Sequence, residues 1–190
     1  MVCFYEIVIT FIDFRFKSLA KQFYTGDALT DYLTNYAILT NIAAVLCVIF
    51  GTKKIAYRLG LRRTLLLLPC VMGVAAITLS FNPFLTLALI IMVMCKSTNY
   101  SFNQPTKEQL YIPTSKDSKY KAKAWIDMFG VRFSKGFGSY LNTYKVILGP
   151  LFFTMASLGL SIVLIIAWIN IALFLGKNHS KAIKENREIC

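Results

Sequence analysis

Apolar residues in this chain gather in six long stretches, at about 2–24, 28–55, 63–80, 84–111, 119–144 and 150–175. None shows the strict apolar–polar alternation that a membrane barrel needs on every strand, so closed strands are excluded and helices expected. At 1.5 Å per residue each stretch is long enough for a hydrocarbon core of roughly 30 Å. Breaks fall where helix ends are chemically marked. Thr25-Gly26-Asp27 closes the first stretch, with Asp27 suited to cap the next helix. Phe81-Asn82-Pro83 supplies an N-cap and a proline at a first helical position, Pro113 ends the fourth stretch, and Gly149-Pro150 opens the sixth. The pattern predicts an all-α polytopic membrane protein with six transmembrane helices over 1–176, followed by a basic tail at 177–190.

Charge then orients the spans. Of 190 residues 56% are hydrophobic and only 16% charged, yet the formal net charge is +12. The basic residues cluster between spans two and three (Lys53, Lys54, Arg58, Arg62, Arg63), between four and five (Lys107, Lys116, Lys119, Lys121), and after six (Lys177, Lys181, Lys184, Arg187). The turns near Gly26, Asn82 and Gly149 are poor in them, apart from nearby Lys21 and Lys145. Alternating basic loops follow the positive-inside rule and put both termini in the cytoplasm. Basic clusters between membrane-length apolar runs also argue against a nucleic-acid partner. The partner is the lipid bilayer.

One residue breaks the apolar pattern at depth. Lys96 lies about half-way along the run from Phe84 to Tyr100, too deep to snorkel easily, which calls for an ion pair or an aqueous cavity and points to transport. Lys96, Asn99, Asn103 and Lys107 recur every three or four positions and so share one helical stripe, although Lys107 alone can simply mark the membrane surface. In span one Glu6, Thr10, Asp13, Lys17 and Lys21 stack likewise. Glu6 or Asp13 can neutralise a cation on a neighbouring helix, or Asp13 can pair with Lys17 within its own turn. Span five is amphipathic, with Lys123, Asp127, Arg132, Ser134 and Lys135 beside Gly130, Gly136 and Gly138. A helix lying flat on the membrane has the same character. Lysine and arginine around a cavity suit an anion, above all a phosphate.

Other chemistries find little support. The five cysteines are scattered without a CxxC pair, and the one histidine lies in the polar tail, so neither a metal, a cofactor nor a disulfide framework is expected. The first stretch holds Glu6, Asp13, Arg15 and Lys17 and is no signal peptide. There is no Walker A loop, HExxH or GxSxG motif, so the chain reads as no enzyme, and movement of a solute would rely on exchange or an ion gradient.

The stretch Tyr100-Ser101-Phe102-Asn103-Gln104-Pro105-Thr106-Lys107-Glu108-Gln109-Leu110-Tyr111-Ile112-Pro113, continuing through Lys121-Ala122-Lys123-Ala124-Trp125-Ile126-Asp127 to Arg132, Lys135 and Gly136, resembles the late helices of the ATP/ADP translocase family. It is equally similar to bacterial relatives in the major facilitator superfamily. Ile12-Asp13-Phe14-Arg15-Phe16-Lys17 resembles the opening helix of the second half of such carriers. The segment from Lys53 to Arg63 resembles the cytoplasmic loop between the second and third helices of a facilitator half, retaining Gly60, Arg62 and Arg63. Tyr57 stands where that pattern usually has Asp, so the gating ion pair of that Asp is not implied.

The resemblance implies a C-terminal half of a secondary transporter in a bacterial inner membrane, with ATP, ADP or another nucleotide exchanged through a central cavity. It matches Lys17, Lys107, Asp127, Arg132 and Lys135 to charged family positions; with Lys96, Asn99, Asn103 and Lys123 these are the candidate substrate contacts. Gly60, Arg62, Arg63, Pro105 and Gly136 are the candidate structural and gating positions. A two-half carrier places its site between the halves, so an N-terminal half or a second copy of this chain is the expected partner. The alternatives are one half of a split carrier, a truncated protein that transports nothing, or a carrier for an anion other than a nucleotide.

Overall fold

A computed structural model of the chain describes residues 1–82, 84–103, 105, 106, 108 and 116–184, with side chains described for all of these except 50–62, 103, 116–119, 146 and 179–184. Every described element is helical: α1 (Val2–Phe23), α2 (Gly26–Phe81), α3 (Leu85–Thr98), a π-helical turn (Asn99–Asn103), α4 (Lys116–Trp125), a second π-helical turn (Ile126–Gly130), α5 (Val131–Thr143), α6 (Lys145–Leu148) and α7 (Pro150–Lys184). The all-α expectation holds. Among the described residues four stretches are long and apolar enough to cross a membrane: Gly26–Ile49, Arg63–Phe81, Leu85–Phe102 and Pro150–Asn178. The charges of α1 and of 116–143 leave those segments outside this group.

The sequence predicts a basic loop near 56–62, but the backbone there is helical within α2. Its lysines, arginines and leucines are good helix formers, and Gly51 and Gly60 are each isolated. Even so, α2 is no straight rod. The Tyr36 ring lies 5.0 Å from the Lys96 Nζ on α3, while Cys70, Val71, Val74 and Ala75 line a groove with Ile90, Ile91, Met94 and Cys95 of the same helix. About 35 residues of straight helix would separate those two parts of α2 by roughly 50 Å, so α2 bends sharply between them. Its halves are two of the apolar stretches. At the far end of the bundle Gly149, at φ 77°, supplies the left-handed residue that turns α6 into α7, and Pro150 starts α7 with the φ it needs. With no glycine or proline after Gly176, α7 runs on to Lys184, past the expected end at 175.

The buried core sits where α1, both parts of α2, α3 and α7 meet. Phe16, Leu68, Met72, Met92, Val8 and Trp168 are its fully buried large side chains. Tyr5 meets Trp168 edge-on at 6.3 Å and Phe16 packs on Tyr36 at 4.8 Å. The outer surface is the reverse of a soluble protein's. Ile38, Ile42, Val45 and Ile49 on α2, and Leu151, Val163, Ile166 and Phe174 on α7, are all exposed. A continuous apolar exterior of this extent is a lipid-facing surface. With no gain from burying leucine away from lipid, the bundle is held by close packing and internal polar contacts.

Candidate functional site

Helical periodicity on α1 sets Glu6, Thr10, Asp13 and Lys17 on one face, and that face looks onto α3 and α5. Between the three helices lies a cavity of about 580 Å³, lined by these four residues with Lys96, Asn99 and Tyr100 from the α3 side and Lys135 and Ser139 from α5. Asp13 is shared between two cations. Its Oδ2 accepts from Lys17 at 2.6 Å, one helical turn on, and its Oδ1 from Lys96 at 3.5 Å across the cavity. Both pairings that the sequence left open are therefore present. Lys96 also stands 5.0 Å over the Tyr36 ring, a cation–π contact. Tyr36 is invisible to the sequence reading because an aromatic in an apolar run carries no periodic polar signal. Glu6 faces Lys135 at 3.7 Å. Three lysines against two carboxylates leave one net positive charge in the cavity.

Close helix approach makes this possible. A Cβ on Gly138 would stand 3.1 Å from the Cβ of Thr10, so α5 comes right up to the polar face of α1. Of the segment's glycines, Gly138 is the one that meets Thr10, whereas a Cβ at Gly136 meets nothing within 4 Å. Thr10 donates to the Glu6 carbonyl at 2.6 Å, which fixes its rotamer at the contact.

The other expected residues divide. Asn99 is buried at the cavity wall. Lys123 sits away from the cavity and pairs with Glu108. Asp127 is exposed and outside the lining. Arg132 lines a separate, apolar groove with Cys3, Trp125, Met128 and Phe129. Arg63 is exposed, and Pro105 is half-buried one residue before buried Thr106. Lys107 lies outside the described residues, as do the side chains of Asn103, Gly60, Arg62 and Tyr57.

Lys123 and Asp127 stand twelve and eight residues before Lys135, roughly 18 Å and 12 Å back along the segment. The π-helical turn Ile126–Gly130 lies in between, and distance along the axis keeps both out of the lining. No described cluster of His, Cys, Asp and Glu could hold a metal ion.

Residues 82–179, just over half of the chain, match the family model described as TLC ATP/ADP transporter. ADP,ATP carrier protein 3 of Rickettsia bellii is 26% identical over 171 residues, covering 79% of this chain and 33% of the relative. ADP,ATP carrier protein 1 of Chlamydia trachomatis is 27% identical over 163 residues, 75% of this chain and 31% of the relative. ADP,ATP carrier protein 3 of Rickettsia conorii is 26% identical over 209 residues, covering 100% of this chain and 41% of the relative. The chain thus spans about a third to two fifths of the length of these curated relatives. No solved structure matches it. These matches are to carriers and not to enzymes, and this polytopic chain belongs to the TLC ATP/ADP transporter family.

Proposed function

We propose that the chain is one half of a secondary transporter that exchanges a nucleotide or a related phosphorylated anion. The carrying observation is the cavity between α1, α3 and α5, where Lys17, Lys96 and Lys135 are each held by a carboxylate that a phosphate oxygen can replace. Its volume falls within the usual range for small-molecule sites, roughly 300–1,000 Å³. Entry of a phosphate gives each lysine a charge-assisted hydrogen bond in exchange for the one it gives up. In the empty carrier Asp13 and Glu6 hold the same lysines, so the cationic stripe is never bare at membrane depth. The two charged segments, α1 and 116–143, complete a six-span half of facilitator type with both ends in the cytoplasm and the inner membrane as its home. Glu6 of α1 and Lys135 of α5 face one another across the cavity.

A charged cavity cannot open onto acyl chains. A second protein surface therefore closes it, either an N-terminal half or another copy of this chain. The test is uptake of radiolabelled ATP or ADP into proteoliposomes, with this chain alone and with a co-expressed N-terminal half of a relative. Saturable uptake is expected in the second case, with Lys96→Ala or Lys135→Ala each lowering it at least about tenfold, the loss of one charge-assisted bond. Uptake that both variants leave unchanged would remove the lysines from the site. No uptake in either setting would favour a protein that keeps the fold without transport. Stronger competition by a non-nucleotide phosphate would shift the substrate class.

A further inference from the structure

Each lysine of the central cavity has a carboxylate, but on the opposite face of α1, from Arg15 towards its C-terminal end, the balance reverses. Arg15 and Lys21 both lie near enough to Lys145 for their charges to repel it, and no carboxylate among the described residues lies within ion-pairing distance of any of the three. Arg15 donates from Nη1 to the Thr154 hydroxyl at 2.6 Å, which uses one of its five N–H donors. Lys145 donates to the Ser18 hydroxyl and stands 5.3 Å over the Phe14 ring. Because Ser18 accepts that bond, its own hydrogen is left to donate. Phe14 packs edge-on against Phe153 at 5.8 Å, so the start of α7 fixes the geometry.

Topology does not explain the cluster. In the proposed orientation this end faces away from the cytoplasm, where the positive-inside rule calls for few basic residues. Snorkelling does not explain Arg15 either, since Thr154 holds its guanidinium against the bundle. Burial, with Arg15 and Lys21 adding their repulsion, holds the Lys145 ammonium below the usual lysine range. Cations kept together at such a cost suit an anion that binds between them.

We propose that Arg15, Lys21, Lys145 and the Ser18 hydroxyl form a second anion site, separate from the central cavity, that takes a phosphate group. Its ligand is either the headgroup phosphate of an anionic lipid or a phosphate of a soluble anion on its way to or from the cavity. Both offer tetrahedral oxygens to a guanidinium, two ammonium groups and a hydroxyl donor.

Footprinting of the full chain in nanodiscs tests the site and separates the two sources. The acylation rates of Lys21 and Lys145 by an amine reagent are read by mass spectrometry against Lys123, which Glu108 holds elsewhere. One arm adds inorganic pyrophosphate to discs of phosphatidylcholine alone; the other adds phosphatidylglycerol to the discs and no pyrophosphate. Selective slowing of Lys21 and Lys145 in the first arm assigns the site to a soluble phosphate, and in the second to a lipid. Arg15→Gln keeps both labelled amines and is expected to weaken the protecting anion about fivefold, with the triple variant R15Q/K21Q/K145Q losing on the order of a hundredfold in direct binding. Should Arg15→Gln fail to fold by circular dichroism, Lys21→Gln read at Lys145 replaces it. If neither anion slows the two lysines more than Lys123, or if protection survives the loss of Arg15 in a folded variant, the proposal is overturned.

Discussion

Asp13→Ala is expected to destabilise the bundle by about 2–3 kcal/mol, and adding Lys96→Met to recover most of that loss. Removing one partner of a buried ion pair costs roughly 3–5 kcal/mol, because the other charge is left without compensation. The Asp13 side chain keeps 22% of its exposure and Lys96 30%, so water screens part of the loss and the lower figure applies. Without Asp13 the Lys96 ammonium has the Tyr36 ring as its remaining described contact. Methionine at 96 takes the charge away and leaves nothing to compensate. Lys17→Met in place of Lys96→Met is expected to recover little, because Lys17 is half-exposed and reaches water unaided. Unfolding in mixed micelles, run as a double-mutant cycle, measures all three. A loss below about 0.5 kcal/mol for Asp13→Ala would mark the pair as a surface contact of small worth.

That pair shows what the chain discloses before it folds. Lys96 stands out because a charge among leucines and methionines is costly at any depth, and α1 shows its polar face because Glu6, Thr10, Asp13 and Lys17 keep helical spacing. Both signals are local, and both lead to the cavity. The partner of Lys96 is another matter. Asp13 is 83 residues away, and only the packing of α1 against α3 decides whether it reaches Lys17, Lys96 or both. Lys123 and Asp127 belong to the same polar segment as Lys135 but stand roughly 18 Å and 12 Å before it along the axis, and the backbone between takes a wider, π-helical turn at Ile126–Gly130. No residue type in that stretch announces the change. The break expected between spans two and three rests on charge, which orients a segment in the membrane but does not stop a helix. Arg15 and Lys145 each look like an isolated basic residue, and Lys21 like the end of the α1 stripe, until α6 and α7 pack beside α1.

Gly138→Val should cost about 1–3 kcal/mol and uncouple Glu6 from Lys135, whereas Gly136→Ala should gain about 0.5–1 kcal/mol. The two glycines stand two residues apart on an exposed, amphipathic helix, and their difference lies wholly in what each faces. At Gly138 a new Cβ meets Thr10 Cβ at 3.1 Å and its Cγ2 at 3.2 Å. Thr10 cannot swing aside without giving up its bond to the Glu6 carbonyl. The helices must separate, which is the usual overpacking penalty. At Gly136 there is room, and alanine removes only the conformational freedom that glycine brings to a helix. Separation of α1 from α5 also lengthens the 3.7 Å Glu6–Lys135 pair, so Gly138→Val is expected to lower nucleotide uptake even in the fraction that stays folded. Thr10→Ala in the same chain removes Cγ2 and Oγ1 but leaves the nearest atom, Cβ, and should restore stability only in part. Thermal unfolding of the three variants in one detergent, followed by uptake in proteoliposomes, reads both effects. Equal penalties at 136 and 138 would mean that α5 meets α1 through a different face, and the geometry that brings Lys135 to Glu6 would fall with it.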